Sequence, residues 1–320
     1  MYSVNFIASN PVFIDPLAIE LASRYKTRTN YGIDIRNNDN YLKVMESIRD
    51  ADVSIIDFAD HMAIEMTRGI KTGKIIVRLH SYEFFDGMTD HINFDNVDKF
   101  IVVNDSLKNL MRHRISISTK KLKTVYHGID LNKFKIAPNK IKSNKVGVAG
   151  YINYKKDPSF MLNCFHEISK VCPHLEFVWA GEHQDLRYHL NMIHNMSKYK
   201  FKLTMIPWQT DMNKFFEDID YTISSSLFES CHLSVLEGMS CGVIPQVRLW
   251  EGADNIYPSH SLFITPDSCA QKIFLFENNQ ILGGSLEEKR QAHRDWVKKY
   301  FSWEKHVEEM DKVIQEVLNE

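Results

Sequence analysis

The segment Ser224 to Val247, SSSLFESCHLSVLEGMSCGVIPQV, holds two carboxylates, Glu229 and Glu237, whose surroundings could do chemistry. It reads strand, tight loop, helix of roughly ten residues, strand, with Gly242 stopping the helix and Pro245 preventing its return. A helix that starts directly after a strand presents unpaired backbone N–H groups and the positive end of its dipole, where a phosphate binds. Glu229 lies in the loop before that helix and Glu237 within it, so one acid can reach a sugar while the other reaches a ribose. The same residues also suit a plainer role. A loop carboxylate near a helix N-terminus is favourable by about 0.3–1 kcal/mol, and Glu237 can sit solvated on the helix surface.

Other candidates carry similar alternatives. Lys155 and Lys156 precede Asp157-Pro158 and are either cations for a diphosphate or ordinary surface charges at a helix start. His80 ends the strand-like run IIVRLH, where a lone histidine is more often a satisfied structural residue than a chemical one. Asp218-Ile219-Asp220 spells the D-x-D that holds a divalent ion on a diphosphate in other enzymes. It precedes the TISSS strand, at the amino end and away from the ligand edge of a parallel sheet. His189 and His194 are five apart and miss the i, i+4 helix face, and the five cysteines show no C-x-x-C spacing. No metal or cofactor is expected, and a reducing compartment fits the cysteines.

These residues need a scaffold. At 320 residues the chain favours two domains, with a cleft between them. Short β-branched runs alternate with amphipathic stretches, the pattern of βα units. In the first half Val4–Ala8, Val53–Phe58, Lys74–His80, Phe100–Val103 and Lys123–His127 read as strands, and Tyr31–Ile35 has the composition of another. Helices fit Asp15–Tyr25, Tyr41–Arg49 and Ser106–Arg114. The polar stretch Asn132–Lys145 reads as a linker. A second series follows, with strands at Val146–Ala149, Leu175–Ala180, Lys202–Ile206, Tyr221–Ser225 and Val243–Val247 and helices between them. The reading places one Rossmann-like domain at 1–140 and a second at 145–300, with a terminal helix at about 303–320 able to pack back on the first. Ligands in such sheets bind beyond the carboxyl ends of the strands.

Composition sets the class. Hydrophobic residues at 44% and charged residues at 25% exclude disordered and membrane-spanning chains. The start, MYSVNFIASNPVFIDP, has neither a basic n-region nor a long apolar run, so a cytoplasmic protein is expected. The net charge of −2 is uneven: residues 106–145 hold eleven Lys and Arg against Asp130 alone. Such a run fits an anionic partner, which makes peripheral contact with the inner membrane face through 106–145 one expectation and a solvated helix face plus linker the other. Nucleic acid is disfavoured, because only Tyr126 and Phe134 interleave these cations.

FESCHLSVLEGMSCGVIP resembles the E-x7-E segment of the family 4 retaining glycosyltransferases, and VGVAGYINYKKDPSFML resembles the first strand and G-R-x-x-x-x-K loop of their C-terminal domain. VYHGIDLNKF resembles their N-G-V-D-x-x-x-F element and FSWEKHVEEM their closing helix, so the similarity runs from about residue 75 to 310. The resemblance implies the α/β GT-B fold, two Rossmann-like domains facing a cleft, and a metal-independent enzyme of glycan biosynthesis. It would move a hexose from a UDP- or GDP-linked donor to a glycan, lipid-linked or other hydroxyl acceptor, with retention. By the same resemblance Glu229 contacts donor sugar hydroxyls, Glu237 the ribose, and the loop at Ser230, Cys231, His232 and Leu233 the sugar and diphosphate. Gly150 and Lys156 occupy the Gly and Lys of the second motif, so Lys156 would neutralise the leaving diphosphate. Tyr151 stands where the family has Arg, removing one cation that Lys155 can partly replace. Trp208 should lie near the base, and His80 should approach sugar and acceptor. His232 replaces a common Gly, and ASNPVFIDP replaces a Gly-Gly loop.

The implied mechanism is front-face transfer, the departing diphosphate helping to deprotonate the incoming hydroxyl while the protein positions and stabilises charge. Two other readings stay open: a carbohydrate- or membrane-binding protein with weak or no turnover, motivated by Tyr151 and the missing Gly-Gly loop, and a nucleic-acid-directed transferase or binder, motivated by the basic run.

Overall fold

Strands covered on both faces need apolar residues at nearly every position, and SVNFIA, VSIID and IIVRL meet that demand. The computed structural model describes residues 1–320 and divides into two units, Met1–Gly128 with Glu304–Glu320, and Ile129–Trp303. In the first, β1 (Ser3–Ala8), β2 (Lys26–Tyr31), β3 (Val53–Asp57), β4 (Ile75–Leu79), β5 (Lys99–Val102) and β6 (Leu122–Thr124) form a parallel sheet in the order β2-β1-β3-β4-β5-β6. The helices α1 (Asp15–Leu21), α2 (Asn38–Arg49), α3 (His61–Thr67), α4 (Tyr82–Phe85) and α5 (Asp105–Arg114) connect them. The second strand lies at Lys26–Tyr31, ahead of the Tyr31–Ile35 read from sequence. KTRTNY is polar because β2 is an edge strand, half exposed, so its pairing with β1 leaves no apolar pattern to read.

The second unit contains β7 (Lys145–Ala149), α6 (Pro158–Val171), β8 (Glu176–Ala180), α7 (Leu186–Met196), β9 (Leu203–Ile206), α8 (Met212–Glu217), β10 (Tyr221–Ser224), α9 (Leu233–Ser240), β11 (Ile244–Arg248) and β12 (Leu262–Phe263). Its sheet is parallel, in the order β12-β11-β10-β7-β8-β9. Phe165, Phe177, Trp179 and Phe263 fill its core. The short helices α3 and α4 of the first unit were not read from sequence, nor were β12 of the second, only two residues long, and α10 (Pro266–Glu277), which carries a Thr265–Ser268 capping box and packs on α6.

The chain ends in α11 (Leu286–Tyr300) and α12 (Trp303–Asn319). From Glu304 onward α12 belongs to the first unit, burying His306, Val307, Met310, Val313, Ile314 and Val317 there. Tyr25 donates to Asp311 at 2.5 Å and Lys74 to the Val317 carbonyl at 2.9 Å.

The boundary after the first sheet differs from the expected residue 140: the first unit ends at Gly128, and 129–145 belong to the second. The reason is α11. Arg294 donates to the Leu131 and Phe134 carbonyls at 2.8 and 2.6 Å, and Arg290 to those of Lys140 and Ile141 at 2.5 and 3.0 Å. A stretch without apolar periodicity is held by guanidinium-to-backbone bonds that pattern reading cannot detect. The basic run is thereby divided between the units. Many of its cations have partners: Arg114 with Asp90 at 2.8 Å, Lys123 with Glu316 at 2.6 Å, Lys142 with Glu277 at 2.7 Å, and Lys145 with Asp218.

Candidate functional site

In the second unit the strand order reverses between β7 and β10, whose carboxyl ends therefore open a crevice that no crossover helix covers. The chain leaves β7 through Gly150 and Tyr151 and leaves β10 through Ser225 to Cys231. Gly150 has φ +137°, which L side chains rarely adopt, and the carbonyl of Gly150 lies where a Cβ on Gly181 would have to go, so both positions need glycine. The two loops are joined by backbone. Leu227 N–H donates to the Lys155 carbonyl at 2.9 Å, the Ser225 hydroxyl donates to the Lys156 carbonyl, and Ser234 donates to the Ala149 carbonyl at 3.1 Å.

This stitching brings together residues 73 positions apart. Lys156 Nζ lies 2.5 Å from Glu229 Oε1 and 2.7 Å from His232 Nε2. Lys155 Nζ lies 2.7 Å from Glu229 Oε2, and Ser226 donates to Oε1 at 2.9 Å. Glu229 is 5% exposed. Burial alone would raise its pKa, but the ammonium groups of Lys156 and then Lys155 outweigh that and hold Glu229 well below the usual carboxylate range. His232 accepts from Lys156 through Nε2, which leaves its Nδ1–H to donate to Ser224 Oγ at 2.8 Å. Burial and then Lys156 lower its pKa to about 3, so the ring is neutral and acts as an acceptor for the ammonium. Asp157, at φ +43°, caps α6 at Phe160 N–H and binds Arg248 at 2.8 Å, which fixes the turn bearing both lysines.

His232 is also the residue before α9. It supplies no side-chain cap, its ring being turned to Ser224 and Lys156. Ser230 and Leu233 are half-buried and Cys231 is buried on this approach to the helix. Tyr151 and Trp208 form a separate element beside the cluster. Their rings stack at 4.6 Å and 28°, both with substantial exposure. Glu237 joins neither group. It is half-buried on α9, and burial, opposed only by Lys133, raises its pKa to about 7.

His80 lies in the first unit at the carboxyl end of β4, in a buried polar network. Asp57, the last residue of β3, takes a two-pronged bond from Arg78 at 2.6 and 2.9 Å and a third from His80 Nε2 at 2.7 Å. His127 Nε2 lies 3.2 Å from His80 Nδ1, and Arg78 also reaches His306 at 3.4 Å. Both ring nitrogens of His80 are thus engaged within the unit, while Phe58 and Phe13 stack on it at 4.2 and 4.9 Å. Burial raises the Asp57 pKa, but Arg78 and His80 outweigh it and keep the group ionised. Glu83 closes the next turn by accepting from the Ala59, His80 and Ser81 amides at 3.1, 3.2 and 2.9 Å.

Sequence reasoning missed Asp57, Arg78, His127, Ser224 and Ser226 as partners. A signal existed for Asp57 and Arg78, since a charge inside the apolar runs SIID and IIVRL must be paired. Nothing local marks Ser224 or Ser226. The D-x-D pair is a structural feature: Asp220 accepts from the Ser143 and Asn144 amides at 2.8 and 2.7 Å and from Arg290 at 2.7 Å, and Asp218 pairs with Lys145. No cluster of three His, Cys, Asp or Glu side chains is arranged to hold a metal ion.

Residues 143–250 match the family described as glycosyl transferases group 1. A UDP-Gal:alpha-D-GlcNAc-diphosphoundecaprenol alpha-1,3-galactosyltransferase of Escherichia coli is 24% identical over 161 residues, 45% of this chain and 41% of that protein, so the chain spans well under half of that relative's length. Among solved structures, HepE of Anabaena in complex with UDP superposes with a TM-score of 0.78 over 99% of this chain and 100% of its own at 11% identity. A sucrose-phosphate synthase of Thermosynechococcus elongatus superposes at 0.76 over all of both chains at 10% identity. The chain has the GT-B fold, and within its second unit residues 143–250 are similar to the group 1 glycosyl transferases.

Proposed function

We propose that the chain transfers a sugar from a uridine-diphosphate donor to a hydroxyl acceptor, with retention and without a metal ion. The observation that carries this reading is the convergence of Lys155, Lys156 and Glu229 at the β7/β10 crevice, inside the segment that matches group 1 glycosyl transferases. Uridine is favoured because HepE binds UDP and the Escherichia coli relative uses UDP-Gal.

Lys156 and Lys155 supply the charge that a leaving diphosphate needs, and the α9 N-terminus adds its dipole. In the present arrangement both ammonium groups rest on Glu229. A diphosphate takes over the lysines, and Glu229 is released to accept from sugar hydroxyls. The bond from the anomeric carbon to the phosphate oxygen breaks, the bond to the acceptor oxygen forms on the same face, and the acceptor proton goes to the departing diphosphate. Glu237 accepts from the ribose, and Trp208 with Tyr151 provides a face for the base. His80 serves the acceptor side as an oriented ring and strand-end backbone, its nitrogens being held by Asp57 and His127. The acceptor we assign is lipid-linked, by analogy with the diphosphoundecaprenol-linked substrate in the relative's name.

Calorimetric titration with UDP and GDP, followed by release of UDP from UDP-sugars with and without a lipid-diphosphate acceptor, tests the reading. Binding of UDP with acceptor-dependent turnover is expected. UDP binding without turnover on any sugar would favour a binding protein, the alternative that Tyr151 at the Arg position supports. Failure to bind either nucleotide would overturn the donor-site assignment.

A further inference from the structure

Helix α7 carries an apolar stripe that the fold does not cover. Leu186, Leu190 and Ile193 fall at i, i+4 and i+7, one line on a 3.6-residue helix, and are 68%, 58% and 55% exposed. The helix binds its own unit by another face, through buried Met192 and by Asn191, whose side chain accepts from Ser159 on α6 at 3.2 Å. The loop before it is joined to the turn after β7 by the Ile152–His183 bridge and by Asn153 donating to Gln184 at 2.7 Å. That turn presents Tyr154, 67% exposed. Three large aliphatic side chains on one line of an exposed helix form a patch of the kind that marks an interaction site.

Charge selects the partner. From Leu186 to Lys202 the chain holds Arg187, Lys198, Lys200 and Lys202 and no Asp or Glu. Arg187 and Lys202 are paired with Asp185 and Glu176, whereas Lys198 and Lys200 are exposed past the end of the stripe. The one cation of α7 itself, Arg187, is paired, so the unpaired charge lies just past its C-terminus; an apolar line ending in cations on a solvent-facing helix suits an interfacial helix, whose apolar face sinks about 5–10 Å into the boundary of an anionic bilayer. A long apolar span is not needed for that, and no helix here is long and apolar enough to cross a membrane.

We infer that α7, with Tyr154 beside its N-terminus, is a docking surface for an anionic lipid bilayer. Leu186, Leu190 and Ile193 enter the acyl boundary, Tyr154 sits at headgroup level, and Lys198 and Lys200 bind lipid phosphates. Because α7 follows directly on β8, a neighbour of β7, docking brings the crevice rim at Tyr151 and Tyr154 near the lipid surface. The inference concerns a surface outside the Lys156–Glu229 cluster and does not require that the chain transfer sugar.

Flotation of the full chain with vesicles of phosphatidylcholine alone, or mixed with phosphatidylglycerol, tests it. Binding is expected to the mixed vesicles only. Replacing Leu186, Leu190 and Ile193 together by Ser should lower partitioning roughly tenfold or more, since burial of each aliphatic side chain is lost. Lys198→Glu with Lys200→Glu should weaken binding and abolish its salt sensitivity. Circular dichroism melts and UDP titration keep a failure of folding or of the donor site distinct from a failure of docking. Lys108→Glu with Arg112→Glu and Lys120→Glu samples the basic run on the first unit and should leave partitioning unchanged. The inference is overturned if the chain ignores both vesicle types, if the triple Ser variant floats like the parent, or if the first-unit charge reversals alone abolish binding. It is equally overturned if the parent is a lipid-free dimer that the triple Ser variant dissociates, which would make a second copy the occupant.

Discussion

Lys156 Nζ and Glu229 Oε1 meet at 2.5 Å although 73 residues separate them in sequence, so the cation assigned to the diphosphate is held by the acid assigned to the sugar. Each partner keeps the other ionised in a buried place.

Glu229→Ala therefore separates chemistry from binding. Loss of one positioned polar contact should lower turnover on the order of 10²–10³. UDP affinity should hold or increase, because the diphosphate no longer displaces a carboxylate from Lys155 and Lys156. Calorimetry and UDP-release kinetics on the same preparation check this, and a loss of UDP binding that matches the loss of rate would refute the assignment to the sugar.

Glu237 should make nucleotide binding depend on pH. Its carboxyl is raised to about 7, so it is largely protonated at pH 6 and ionised at pH 8, and only the ionised form accepts from both ribose hydroxyls. UDP affinity should rise across that interval. Glu237→Gln should bind more weakly at pH 8 and lose the part of the pH dependence that UDP's own ionisation does not supply.

Stability should fall in mild acid. Burial lowers the pKa of His232, His293 and His306 to about 3, against about 6.5 in the unfolded chain. Between these values only the unfolded chain binds the proton, so each group's contribution is intact above about 6.5 and lost progressively as pH falls, reaching about 2 kcal/mol at pH 5. Urea denaturation at pH 7.5, 6 and 5 measures the slope. His306→Gln should reduce it by one proton, and an unchanged slope would show that His306 is not buried neutral.

Asp57→Asn should destabilise the first unit without touching the second. It leaves Arg78 buried with its counter-charge gone, a change that costs about 3–5 kcal/mol. UDP affinity, which the proposed function places in the second unit, should persist at temperatures where the first unit remains folded. Equal stability of parent and variant would show that Asp57 does not carry the charge inferred for it.

Asp218→Ala and added chelator should both leave UDP affinity unchanged, whereas Asp220→Ala should lower the melting temperature by removing the partner of Arg290 and of two backbone amides. If chelation abolished nucleotide binding and Mg²⁺ restored it, metal-independent transfer would be wrong.

The sequence determined the βα alternation, because buried parallel strands require unbroken apolar runs and their connecting helices a 3.6-residue pattern. Pro158–Val171 and Leu186–Met196 are helices that begin at their Asp157 and Asp185 caps, and Leu233–Ser240 is a helix that stops just before Gly242. It also determined which loop bears Glu229 and Lys156, through motifs whose residues are contiguous. Edge strand β2 stayed hidden because half-exposed strands carry polar side chains, and the place of 129–145 stayed hidden because guanidinium groups on α11 bind backbone carbonyls, which every residue has. Only the tertiary structure decided that Glu229 is clasped by two lysines, that His232 is a neutral acceptor, and that both nitrogens of His80 are occupied by Asp57 and His127. Those facts depend on strand order: β7 lies beside β10 and β3 beside β4, and pairing across a sheet brings together side chains whose separation in sequence carries no trace of the contact.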